Sequence, residues 1–99
     1  MTAREVYNEI TSYLATNFGT DYIHYWYVGI ASDVEQRLFG DHMVDRNGLG
    51  WVFREAFDAS HAREAETMLL NRGHDGGTGG GDHTTVFVYA FRKVPGTIR

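Results

Sequence analysis

In the run Tyr27-Val28-Gly29-Ile30-Ala31-Ser32-Asp33-Val34-Glu35-Gln36-Arg37-Leu38, a strand ending in glycine leads into a helix. That order aims a phenolic hydroxyl (Tyr27) and a guanidinium (Arg37) at one spot on the surface. A guanidinium fork matches the oxygens of a phosphate, and a glycine before a helix N-terminus lets an anion approach backbone N–H groups. Gly29 and Arg37 are therefore candidate phosphate ligands. Farther along, Glu66 shares a helical face with Ala62, Leu69 and Leu70, so its carboxylate is drawn inward. A carboxylate out of water needs a partner, either a cation from the chain or a hard divalent ion.

Each residue also has a plainer reading. Tyr27 sits between Trp26 and Val28 in an aromatic, β-branched stretch and can serve packing alone. Arg37 can pair with Asp33 four residues earlier on a solvated helix face. Glu66 can be half of a structural ion pair with Arg37. The five histidines, His24, His42, His61, His74 and His83, show no ligand spacing such as His-x-x-x-His.

The elements that would hold these groups follow from period and punctuation. Thr2 and Glu5 form a capping box ahead of Val6, Ile10, Tyr13, Leu14 and Phe18, which predicts a helix from about Ala3 to Asn17, stopped by Gly19. Tyr22–Ile30 reads as a buried strand. Ser32 and Glu35 form a second capping box for a helix with Val34 and Leu38 inward and Gly40 near its end. Asn47-Gly48 marks a turn within 45–50, and Trp51–Phe57 alternates as a strand. Asp58 or Ser60 caps a helix carrying Glu66, with Gly73 as its stop. Gly73–Asp82 holds six glycines in ten residues and lacks the Gly-Lys-Ser/Thr of a nucleotide loop. It reads as a loop passing close to neighbouring backbone or fitting a partner. Thr84–Val94 is a last strand, with Val86, Val88 and Ala90 on one side and Phe87, Tyr89 and Phe91 on the other. The order α-β-α-β-α-β implies an α+β domain.

Ninety-nine residues, 42% apolar and 14% aromatic, suit one small core. There is no cysteine, so disulfides and thiolate metal sites are excluded. No apolar run resembles a signal peptide or a membrane span, and the expectation is a soluble, cytoplasmic protein. The net charge of −4 argues against a broad nonspecific grip on duplex DNA, but leaves room for one local phosphate site.

At the Tyr27-Val28-Gly29 strand, the Ala31-Ser32-Asp33 segment and Arg37, eight positions after the glycine, the sequence resembles the GIY-YIG nuclease family. His42 falls near the family's histidine, one residue beyond its usual spacing. Glu66, with Leu69 and Leu70 behind it, matches the family's glutamate helix. The resemblance covers roughly residues 22–70. It implies a three-stranded antiparallel sheet flanked by helices, and divalent-metal-dependent cleavage of DNA phosphodiesters. On that pattern Glu66 would hold Mg²⁺ or Mn²⁺, Arg37 would stabilise the phosphorane-like charge, and tyrosines would orient or activate water. The first-motif Gly-Ile-Tyr strand is not found upstream of Tyr27, and Asp82 is the nearest polar residue to the place of a late asparagine. Phe87-Val88-Tyr89-Ala90-Phe91 looks like a first-motif strand moved toward the C-terminus, which would fill the vacant slot beside Tyr22–Ile30 and bring Tyr89 to the site. The resemblance thus names Tyr27, Arg37, His42, Tyr89 and Glu66, with DNA as partner. The alternative is a scaffold that has lost catalysis and binds a protein or nucleic acid.

Overall fold

A first helix, α1 (Ala3–Phe18), forms where the capping box places it: Thr2 N–H donates to Glu5 Oε1 at 2.9 Å and Glu5 N–H to Thr2 Oγ1 at 3.2 Å. It buries Ala3, Val6, Ile10 and Leu14. The computed structural model describes residues 1–18, 25–77 and 81–99. The Gly19 stop, the start of the expected Tyr22–Ile30 strand and residues 78–80 of the glycine-rich segment lie outside them. Strand β1 (Trp26–Ala31) leads to a short π-helical segment (Gln36–Asp41), then β2 (Trp51–Glu55), α2 (Ala59–Arg72), β3 (Asp75–Gly76) and β4 (Phe87–Arg92). Helix α2 starts where Asp58 accepts from His61 N–H and ends at Gly73, whose φ of 113° only glycine adopts without strain. Among the described residues, no helix is long and apolar enough to cross a membrane.

The fold is α+β, but the sheet is four-stranded and mixed, in the order β2-β4-β1-β3, instead of three antiparallel strands. β4 lies between β1 and β2 and runs antiparallel to both, with Tyr89 opposite Gly29 on one side and Phe53 on the other. The added strand, β3, comes from the glycine-rich segment and pairs parallel with Tyr27 and Val28. Its pairing depends on a missing side chain: a Cβ on Gly76 would stand 2.7 Å from the Val28 carbonyl oxygen.

Alternation along the strands divides the sheet into two unlike faces. Trp26, Val28, Ile30, Val52, Val88 and Ala90 face α1 and α2, and meet Ile10, Leu14, Ala62 and Leu69. Each fully buried aliphatic side chain there contributes about 1.5–3 kcal/mol. The opposite face gathers Tyr27, Phe53, Phe87, Tyr89 and Phe91 under Val34, Leu38 and Val44.

Between β1 and β2 the expected cap moves by one residue. Asp33, not Ser32, closes the first turn, with its Oδ1 accepting from Gln36 N–H at 3.1 Å. The helix then widens: His42 N–H donates to the Arg37 carbonyl five residues back, and Val44 N–H to that of Leu38. Met43 follows with φ 57°.

Candidate functional site

Tyr89 is the hub of the aromatic face. It is only 2% exposed, and its ring lies across β1 where Gly29 offers no side chain. A Cβ at position 29 would fall 2.4 Å from the Tyr89 hydroxyl oxygen. Gly29 was expected to face a phosphate; it is instead buried beneath the phenol, and its service is clearance. Beyond that crossing, β3 covers β1 only opposite Tyr27 and Val28.

The Tyr89 hydroxyl meets His42 Nε2 at 2.8 Å, while the other ring nitrogen, Nδ1, contacts the Ile98 carbonyl oxygen. A carbonyl only accepts, so this network assigns the proton to Nδ1 and leaves Nε2 to accept from Tyr89 O–H. The ring also packs against Tyr27, at 5.2 Å between centroids, and Phe91, at 4.6 Å. Burial pushes the His42 pKa down, which keeps the ring neutral near pH 7. The Ile98 hydrogen bond and Asp41 oppose that shift, and Arg37 adds to it.

Burial likewise drives the Tyr89 pKa up to about 12. Arg37 pulls it back by charge and hydrogen bonding, whereas Tyr27 and the Glu66 carboxylate raise it further. One hydroxyl therefore feels a guanidinium, a second phenol and a carboxylate that are widely separated along the chain. His42 bonds Tyr89 and packs on Tyr27, Arg37 acts on the phenol by charge and hydrogen bonding, and Glu66 acts on it by charge alone, from the α2 side of the sheet.

Arg37 is half-exposed and bridges to Asp41 through Nε, 3.2 Å from Oδ2. Asp33 contributes its backbone carbonyl, which accepts from Arg37 N–H. Asp41 therefore takes the pairing role expected of the Asp33 carboxylate. Arg37 also lines an open cleft of about 360 Å³ together with Ser32, Asp82 and Thr85. Asp82 holds its own loop, accepting from Thr84 N–H and Oγ1–H, which keeps its carboxyl below the usual range.

Glu66 comes from the other side of the sheet, on α2. It is 6% exposed, and its Oε2 has no hydrogen-bond partner among the described residues. Burial raises its pKa, partly offset by Arg63. No ion pair joins Glu66 to Arg37, so the structural-pair reading of these two fails. No cluster of three acidic, histidine or cysteine side chains forms a ready cation cage among the described residues. The unpartnered Oε2 could serve as a ligand for a cation, but it has almost no exposed surface, so an ion that keeps its waters reaches it only if the surrounding side chains move.

Sequence reasoning named these side chains but missed two supports, the Ile98 carbonyl and Asp41. A backbone oxygen has no sequence signature. The five-residue step from Arg37 to His42 was a usable signal, because i→i+5 is the hydrogen-bond span of a π turn. Set against known proteins, the chain matches no family model, no curated protein and no solved structure.

Proposed function

We propose that the chain is a GIY-YIG-like domain with a displaced first-motif strand, acting as a divalent-metal-dependent nuclease on DNA phosphodiesters. One observation carries this reading: Tyr89 lies across Gly29 with its hydroxyl on His42 Nε2, and Tyr27 packs on the same imidazole. β4 occupies the slot beside β1 that the resemblance leaves vacant, and supplies a tyrosine there. The π-helical turn supports the same reading. It absorbs the extra residue before His42 by bonding His42 N–H to the Arg37 carbonyl.

Neutral His42 is the base of the site. As water attacks phosphorus, its proton passes to the Tyr89 oxygen and the Tyr89 proton to His42 Nε2. The relay never requires a free phenolate, which a pKa of about 12 disfavours. Arg37, at the lip of the cleft, offsets the charge gathering on the phosphoryl oxygens. Glu66 would hold Mg²⁺ or Mn²⁺ through its unpartnered oxygen, and the bound ion would supply Lewis-acid polarisation of the phosphate. The ester P–O bond breaks, the leaving oxygen takes a proton from solvent and His42 returns its proton to solvent, so the products are a phosphomonoester and an alcohol.

Purified protein with Mg²⁺ or Mn²⁺ is expected to nick plasmid or branched DNA. Glu66→Gln should abolish nicking while the fold is kept, and His42→Ala should slow it by about 10²–10⁴-fold. Protein that cleaves nothing, across several metals and substrates, refutes the enzyme. The burial of Tyr89 and Glu66 favours one second reading, an inactive scaffold with its polar cluster sealed inside. In that case Arg37→Ala alters partner binding and no cleavage is ever seen.

A further inference from the structure

The residues after β4 turn back onto the aromatic face with little hydrophobic reason to do so. Ile98 is 56% exposed, so its own burial does not hold the segment. Polar links do. Thr97 N–H donates to the Val94 carbonyl and Val94 N–H to Thr97 Oγ1, closing a turn through Gly96 at φ 100°. Ile98 and His42 then exchange hydrogen bonds. Ile98 N–H donates to the His42 carbonyl at 2.8 Å, and His42 Nδ1–H donates to the Ile98 carbonyl. Met43 takes its left-handed conformation immediately after His42, an arrangement a non-glycine residue keeps only where its surroundings fix it.

Both ends of the returning segment are tied to one carboxylate. Asp75 Oδ2 binds Lys93 Nζ at 3.2 Å and also the Arg99 guanidinium. Asp75 is itself placed by the sheet, opposite Tyr27 in the β1–β3 pairing. Arg99 first, and Lys93 after it, hold its carboxyl below the usual range, so the cluster is charged at neutral pH.

We propose that Asp75 is a positioning residue for His42: by anchoring Lys93 and Arg99 it folds the 93–99 segment back, so that the Ile98 carbonyl fixes the imidazole in the tautomer that can receive the Tyr89 proton. Released from that carbonyl, either ring nitrogen could carry the hydrogen, and a ring protonated on Nε2 presents Tyr89 with a donor where it needs an acceptor. The groups facing the imidazole are the Tyr89 hydroxyl, the Tyr27 and Phe91 rings, Arg37 and Asp41. None of these bonds Nδ1, and among the described residues the Ile98 carbonyl is its partner.

The catalytic meaning of this device rests on the nuclease reading, whereas its structural content does not. The test reads the His42 ring by ¹⁵N NMR of the intact labelled protein at a pH where the ring is neutral. The wild type should show one tautomer, with Nδ1 protonated and Nε2 bare. Asp75→Ala should give averaged shifts from two tautomers, and Asp75→Glu should restore the single form. Arg99→Ala, which leaves Lys93 in place, should give a smaller change in the same direction and serves if Asp75→Ala does not fold. Unaltered ring shifts in the folded Asp75→Ala protein, or in Arg99→Ala if that is the variant read, overturn the proposal. So does a wild-type ring protonated on Nε2. Failure of the protein to cleave DNA refutes the nuclease and leaves these outcomes readable.

Discussion

The two faces of the sheet are built from alternate residues of the same strands, yet they obey different rules. Toward α1 and α2 the side chains are aliphatic and fully enclosed, apart from Trp26, and two long helices cover them. Toward the π-helical segment they are largely aromatic, with the Tyr27 and Tyr89 hydroxyls among them, and the cover is one short, widened turn. On the first face, area removed from water decides stability, and a lost contact leaves a cavity. On the second, a phenol and an imidazole are enclosed together because each satisfies the other. Apolar burial dominates one side, and a hydrogen-bonded polar pair is enclosed on the other. That division is the pattern expected where a fold carries a site.

The comparison can be broken most forcefully on the aliphatic side. Leu69→Ala removes a fully buried side chain between α2 and the sheet, and is expected to cost about 2–5 kcal/mol in denaturant unfolding. The His42 ring shifts should not move. If they do, the faces are coupled and the division is wrong.

Gly29→Ala acts on the aromatic side. The new methyl overlaps the Tyr89 hydroxyl and ring, so the phenol must move and its bond to His42 must lengthen or break. The stability loss should be about 1–3 kcal/mol, and the His42 ring signals should shift. A variant of wild-type stability with an unchanged ring would show that clearance is not what position 29 supplies.

The smallest effect has the opposite sign. The folded-state pKa of Glu66 is raised, so the folded protein holds that proton more tightly than the unfolded chain does. The group costs nothing below its unfolded pKa, and its penalty grows as pH climbs through the folded value. Glu66→Gln should therefore stabilise the protein by about 1 kcal/mol at pH 7, with the gain fading below about pH 4. Thermal unfolding across pH checks this. A loss of stability at pH 7 would mean that the carboxylate already has a partner.

Much of the architecture was legible because its signals are local. The Thr2–Glu5 box, the Asp58 cap and the Gly73 stop act within a few residues, and strand alternation sorted Val88 from Tyr89 before any pairing was known. The cap at Asp33 in place of Ser32 shows the limit of such signals, since neighbouring polar residues compete for one turn. The parallel pairing of Asp75 and Gly76 depends on how closely two backbones approach, which composition does not encode. Around Tyr89, the place of its strand beside β1 was readable. The burial of Gly29, the Asp41 partner of Arg37 and the Ile98 link to His42 were not, because each depends on where the chain returns from a distance.

The central position of β4 has a consequence for how the chain is made. β1 and β2 do not pair with one another; both take their antiparallel partner from residues 87–92. During synthesis the helices and outer strands emerge before the segment that joins them, so the sheet cannot be stitched together until nearly the whole stretch has left the ribosome. The same late strand carries Tyr89, so the Tyr89–His42 pair and the finished sheet arise in one step.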